Sequence, residues 1–214
     1  MFIIQLIKKL NNTELGKSGT HETYIHIPQN LDISDIFPEP NIYINFYYKE
    51  KDKEYRIRCT IGREKRIVGL GDFYRDNNVC AGDEVLLEKC IDGDKSSYNI
   101  KLKRNTNGII IQKCKTGFEI LNIDKKDLIN QETKILLNNI ESTQPLSLEF
   151  ITSVKKREDS PNKTDIYDLK INDKSIAKNY TGKDIMEILI HKESNIAYLN
   201  KVCIWKKYNF KVGK

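Results

Sequence analysis

The sequence predicts a mainly β fold in its first half, followed by a second half of mixed strands and helices. Three observations carry this. Short apolar segments separated by turn residues recur roughly every 8–12 residues, as in barrels and sandwiches. The segment Tyr55 to Ile61 alternates strictly, with Tyr55, Ile57, Cys59 and Ile61 on one face and Arg56, Arg58 and Thr60 on the other. The segment Asn41 to Tyr48 alternates and is rich in aromatic side chains, which favour strands.

Taken in order, Ile3 to Leu10 reads as the first strand, and Asn11 to Gly19 is a polar loop. Glu22 to Pro28 is strand-like. Leu31 to Phe37 reads as a short helix stopped by Pro38 and Pro40. Asn41 to Tyr48 is an aromatic-rich strand, followed by a charged turn, Lys49 to Glu54. After Tyr55 to Ile61 comes a basic turn and a short strand bracketed by Gly62 and Gly69-Leu70-Gly71. Asp83 to Lys89 and Tyr98 to Lys103 form a hairpin around Ile91-Asp92-Gly93-Asp94.

In the second half, Gly108 to Lys113 and Gly117 to Leu121 read as a hairpin. Asp124 to Asn139 has a helical rhythm, with apolar residues at 128, 129, 135, 136 and 140. Leu146 to Val154 and Ile166 to Ile171 are strands around a polar loop, Arg157 to Asn162. Thr181 to His191 reads as a helix, because Thr181 and Asp184 form a capping-box variant. Ile196 to Trp205 closes as a strand. The expected division is 1–107 and 108–214, with no internal repeat and no low-complexity segment.

The hydrophobic fraction of 39% and its even spread exclude intrinsic disorder. The apolar runs are a few residues long, against the ~18–20 of a membrane span. The start has no signal-peptide pattern. Five cysteines without a CxxC pair read as small thiols in a reducing cytoplasm, with Cys59 in the core. The three histidines have no zinc-ligand spacing, and no metal or cofactor is expected. Net charge is +6, split as 17 basic and 16 acidic groups in 1–107 against 19 and 14 in 108–214. This permits a polyanionic partner without demanding one.

Positive charge is focused in two glycine-containing loops. The first runs from Lys8 to His21. The second runs from Arg56 to Arg66 and holds five basic residues and one acid. Two-stranded ribbons fit the major groove of a DNA duplex, where Arg offers a bidentate fork to guanine and Asn pairs with adenine. The bland alternative is that these charges are a solvated face, that His21 caps a turn, and that Glu64 pairs with Arg66.

The stretch Gly16-Lys17-Ser18-Gly19-Thr20-His21-Glu22-Thr23-Tyr24-Ile25-His26-Ile27-Pro28 resembles a Gly-rich segment of the amino-terminal effector domain of EcoRII-type restriction endonucleases. Gly62-Arg63-Glu64-Lys65-Arg66-Ile67 is similar to that family's Asn-Glu-Lys-Arg-Ile segment. Ala81-Gly82-Asp83-Glu84-Val85-Leu86-Leu87-Glu88 resembles a turn-strand of the wider plant-type B-three DNA-binding fold. The resemblance covers residues 1 to about 105. It implies a seven-stranded open pseudobarrel whose two arms, Lys9 to His21 and Arg58 to Arg66, clamp the major groove. Glu22 and His26 depart from the family pattern, which bears on the bases read.

The expected function is sequence-specific recognition of double-stranded DNA, as the non-catalytic target-recognition part of a bacterial restriction system. A nuclease or nucleotide-driven motor domain or subunit would be its partner. Lys8, Lys9, Lys17, Arg58 and Lys65 would contact phosphates, and Asn12, Ser18, His21, Arg63 and Arg66 would reach base edges. Glu22, Thr60 and Glu64 belong to the same site. Glu22 or Glu64 would accept from a cytosine amino group or orient an arginine. The second half, a mixed α+β subdomain, would add phosphate contacts from its basic surface.

Rival readings are a metal-dependent nuclease using Asp168 and Lys170 with Asp159 or Asp165, a single-strand or RNA binder, a protein-interaction module, and a reader of modified bases. The tail Lys201 to Lys214 carries Trp205, Tyr208 and Phe210. It is expected to be an edge strand with its aromatics packed inward, or else a surface that stacks bases.

Overall fold

The computed structural model describes residues 1–16, 23–137, 142–155, 163–182, 184–202 and 204–213. Lys17, Ser18, His21, Glu22 and Asp159 lie outside them. The chain forms two units. One comprises Met1–Arg104 with Cys203–Lys214, and the other Asn105–Val202. The division falls slightly before residue 108, and the last dozen residues return to the first unit.

The first unit contains β1 (Phe2–Lys9), β2 (Tyr24–Ile27), β3 (Ile44–Tyr48), β4 (Lys53–Ile61), β5 (Lys65–Val68), a short helix α1 (Gly71–Asp76), β6 (Glu84–Asp92) and β7 (Lys95–Lys103). The second contains β8 (Gly108–Lys113), β9 (Phe118–Ile120), β10 (Lys134–Leu136), β11 (Thr143–Lys155), β12 (Lys163–Ile171), β13 (Lys174–Ser175), β14 (Ile185–His191) and β15 (Ile196–Lys201). The last strand, β16 (Trp205–Lys211), pairs with β1.

The first unit is one curled, open sheet in the order β16-β1-β6-β7-β3-β4-β5-β2. Its seven strands β1 to β7 form the expected open pseudobarrel. Alternation sets what lies inside. Ile25 and Ile27 of β2, Ile57 and Cys59 of β4, and Ile67 of β5 are buried, while their neighbours face out. Phe73 of α1 is fully buried, edge-on to Tyr48 at 5.2 Å and to Tyr55 at 5.1 Å. That contact explains why a six-residue helix holds there. The sequence reading missed α1, and placed instead a helix over Leu31 to Phe37. The latter is a single turn, in which the Ile36 and Phe37 amides both donate to the Ile33 carbonyl.

The second unit is a closed barrel. Its sheet runs β11-β10-β15-β14-β8-β9-β12-β13, and β11 also pairs with β12. Its core is Ile109, Ile111, Phe118, Ile135, Leu169, Met186, Ile188 and Ala197, with smaller contributions around them. Both helices expected in this half are absent. Asp124 to Asn139 holds a 3-10 turn (Ile123–Leu128) and then β10, its residues 138 and 139 lying outside the described ones. Thr181 to His191 is a turn followed by β14. The Asp184 carboxylate does accept from the Thr181 amide and hydroxyl, both at 3.1 Å, yet it closes a turn that leads into a strand. Met186, Ile188 and Ile190 are buried at period two, and three isoleucines in seven residues favour the extended state.

The two units share one connectivity. In the first unit β1 pairs antiparallel with β6, β6 with β7, β3 with β4, β4 with β5 and β5 with β2, while β3 runs parallel to β7. Taking β8, β9, β10, β11, β12, β14 and β15 as strands one to seven, the same six pairings recur with the same sense. No repeat was expected from the sequence. The difference lies in the first connection. Between β1 and β2 it is long, and the sheet stays open. Between β8 and β9 it is a four-residue turn, and β9 pairs back on β8 to close the barrel.

Candidate nucleic-acid interface

The outward face of β2, β5 and β4 gathers three of the candidate residues, Arg58, Thr60 and Arg66. In one cross-strand row stand Thr60, Arg66 and His26. In the next stand Arg58, Val68 and Tyr24. Arg56 follows two residues from Arg58 on the same face. Tyr43 stands just before β3, whose first residue Ile44 pairs with Ile57. The exposed Tyr43 ring takes the guanidinium carbons of both Arg56 and Arg58 at 4.7 Å. The Arg66 guanidinium carbon lies 4.0 Å from the Tyr24 ring centroid. These rings support the arginines from one face.

Two local features mark this floor. Gly69 adopts φ +96°, and a Cβ there would fall against the Arg56 carbonyl oxygen. Only glycine permits both the turn and this approach. The Arg58 Nε–H is buried and meets no acceptor among the described residues. An orphaned donor on a basic surface is where an anionic or carbonyl acceptor would be favoured.

The two connections meet this floor at opposite ends. The β4–β5 turn, residues 62–64, projects beyond the Ile27–Lys65 pair. The β1–β2 connection enters β2 at the other end, beside the Tyr24–Val68 pair. The four-residue ladder between them spans about 10–13 Å, close to the ~12 Å width of a major groove. Within the turn, Arg63 is exposed, and Arg66 donates through Nε and Nη2 to one Glu64 carboxylate oxygen, at 3.1 and 3.0 Å. Lys65 is half-buried, and the Thr60 hydroxyl donates to the Arg66 carbonyl.

The base of the first arm departs from expectation. Lys8 is 3% exposed, and its Nζ lies 2.9 Å from a Glu14 carboxylate oxygen. Glu14 is buried too. Its amide donates to the Asn11 side chain, and its carboxylate accepts from the Asn11 amide. Burial pulls the Lys8 ammonium below its usual range and pushes the Glu14 carboxyl above its own, each against the other's attraction. Lys8 thus anchors the arm from within and is no phosphate contact, because period two turns it to the core.

Lys9 shares Glu84 at 3.8 Å with Lys103 at 3.4 Å and Lys206 at 3.9 Å. Asn12 is half-buried. Gly16, with φ 72°, ends the described part of the arm. Sequence reasoning left Tyr24 and Tyr43 out of the site, placed Arg56 in the second basic loop without assigning it a contact, and gave His26 only as a departure. Period two was the available signal, since Tyr24 and His26 alternate with buried Ile25 and Ile27.

In the rival nuclease set, Asp165 is set apart from Asp168 and Lys170, and Asp159 lies outside the described residues. Asp165 and Asp168 are three apart on β12 and face opposite sides of the sheet. The Asp165 carboxylate accepts from Ser153, Asp168 accepts from Ser175, and Lys170 pairs with Glu149. Among the described residues no three His, Cys, Asp or Glu side chains cluster as metal ligands, and no helix is long and apolar enough to cross a membrane. In the tail, β16 is an edge strand as expected. Its aromatics do not pack inward, however: Tyr208 and Phe210 are exposed and Trp205 is half-buried beside Lys8.

No family model and no curated protein matches the chain. Among solved structures it is similar to the hypothetical Arabidopsis thaliana protein At1g16640.1, at 18% identity and TM-score 0.35, over 49% of this chain and 93% of that one. It is also similar to the Arabidopsis FUS3–DNA complex, at 14% identity and TM-score 0.33, over 47% of this chain and 96% of that one.

Proposed function

We propose that the chain binds double-stranded DNA sequence-specifically through the outward face of β2, β5 and β4, with the two flanking arms entering the major groove. The observation that carries this is the aromatic-backed arginine floor, Arg56, Arg58 and Arg66, held between two connections about one groove width apart. The charge budget of the units agrees. The first unit carries 21 basic and 16 acidic residues, so +5, and the second 15 and 14, so +1. The excess expected of the second half comes from the tail, which belongs to the first unit.

By its resemblance in residues 1 to about 105, the chain acts as the non-catalytic target-recognition part of a bacterial restriction system. It works there with a nuclease or nucleotide-driven motor. Arg63, Arg66 and His26 read base edges, while Arg56 and Arg58 hold register on phosphates; Lys65 shares the parity of buried Ile67 and is no part of this face. Selection of bound duplexes from a random pool tests the reading. Wild type should enrich one short motif. Arg63→Ala and Arg66→Ala should each relax it at one position, at a cost of ~1–3 kcal/mol. Enrichment of no motif, or identical motifs from wild type and both variants, would refute it. Mg²⁺-dependent cutting of duplex by the chain alone would refute the non-catalytic role.

A further inference from the structure

The shared connectivity reaches down to individual hydrogen bonds. In the first unit the Cys80 amide donates to the Asp83 carboxylate at 3.0 Å, the Asp83 amide donates to the Cys80 carbonyl, and the Asp83 carbonyl accepts from Leu10 at the end of β1. In the second unit the Thr181 amide donates to the Asp184 carboxylate at 3.1 Å, the Asp184 amide donates to the Thr181 carbonyl, and the Asp184 carbonyl accepts from Lys113 at the end of β8. Each aspartate also meets a cation from the end of the seventh strand, Arg104 at 2.9 Å and Lys201 at 3.7 Å. The same turn sits between the fifth and sixth strands of both. Asn105–Val202 is thus a second copy of the pseudobarrel.

The copies differ in their arms. The first has a long first arm and a three-residue second arm at the β4–β5 turn. The second has a four-residue first connection and a long β11–β12 hairpin in the place of the β4–β5 arm. That hairpin pairs from Leu146–Ile171 out to Lys155–Lys163, well past Ile166–Tyr167, where β9 stops supporting it. Every residue from Glu149 to Lys155 is exposed, on both faces of the strand. The register shifts between Phe150 and Thr152, a bulge that bends the ribbon. Its outermost described pair is two exposed lysines, Lys155 and Lys163, and the Asp165 carboxylate, two residues from Lys163, accepts from Ser153.

We infer that Asn105–Val202 is a second DNA-binding module, whose β11–β12 ribbon enters a groove of duplex DNA as the counterpart of the β4–β5 arm. A bent two-stranded ribbon, exposed on both faces and carrying lysines at its outermost described pair, suits that groove. The choice of duplex as ligand rests on the function proposed for the first unit. The long arm has moved from the first connection to the second, so one chain would contact DNA through two separate surfaces.

The test is hydroxyl-radical footprinting and salt-titrated binding of the full chain on a long duplex containing its selected motif. Wild type should protect two separate backbone patches. Lys155→Glu/Lys163→Glu should lose one patch, weaken binding at least tenfold and lower the salt slope by about two, with an unchanged thermal midpoint. Lys155→Arg/Lys163→Arg should restore it. Arg58→Ala/Arg66→Ala should lose the other patch. If the glutamate variant keeps the full footprint and salt slope, the inference is overturned while the first unit's role stands; the ribbon would then face a protein. If wild type shows no salt-sensitive duplex binding, both readings fail.

Discussion

Lys8 and Glu14 set the terms at the scale of single residues. A buried ion pair contributes little by itself, because desolvation offsets the attraction, but removing one partner strands the other charge. Lys8→Met should therefore destabilise the chain by about 3–5 kcal/mol in denaturant titration, and Lys8→Met/Glu14→Leu should recover most of that loss. The pH dependence follows from the two displacements. Glu14's raised carboxyl contributes stability below about pH 4.5 that is lost as pH rises through its folded value. Lys8's lowered ammonium contributes stability above about pH 10.5 that is lost as pH falls through its folded value. Between the two the wild-type pair is at its least favourable, so the double apolar variant should gain on wild type at neutral pH and fall back towards either extreme. An unchanged pH profile would contradict the burial argument. Lys8 also marks the limit of reading charge from sequence: it stands beside Lys9 and looks like part of a basic loop, and only the strand's parity decides which of the two turns inward.

At the scale of elements, the arginine floor depends on how β4 meets the chain after β5. Gly69→Ala adds a methyl against the Arg56 carbonyl and asks alanine to hold φ near +96°. Thermal unfolding should show a loss of about 2 kcal/mol or more, with duplex affinity reduced in the folded fraction. A neutral effect would mean that β4 is not braced there. The strands of the first unit were legible because their apolar alternation is clean, as in Tyr55, Ile57 and Cys59. The second unit was harder. Thr181 and Asp184 satisfy a helix-capping pattern, and the carboxylate makes those bonds, but a turn entering a strand uses the same chemistry. The supposed helix at 124–139 has apolar residues at spacings that a 3-10 turn followed by a short strand reproduces equally well. Helix α1 was illegible because it is short and held by tertiary burial of Phe73.

Across the whole molecule, the architecture is one connectivity used twice with different arms. Sequence showed no repeat, because pairing order is preserved by buried positions that accept any apolar residue, while arm lengths and surface charges have diverged. The turn residues Gly82-Asp83-Glu84 and Lys183-Asp184-Ile185 keep only the aspartate in common. The short connection closing the second barrel and the long one leaving the first open are differences in loop length. Length thus decides which unit presents an open, arginine-lined face and which a projecting ribbon.

Backbone and side-chain NMR shifts of the labelled chain, followed as its selected duplex is titrated in, bear most directly on where DNA sits. The largest changes are predicted at Tyr24, His26, Arg56, Arg58, Arg63 and Arg66, fading with added salt. Changes confined to the β16 edge, or none at all on those six residues at saturation, would contradict the account.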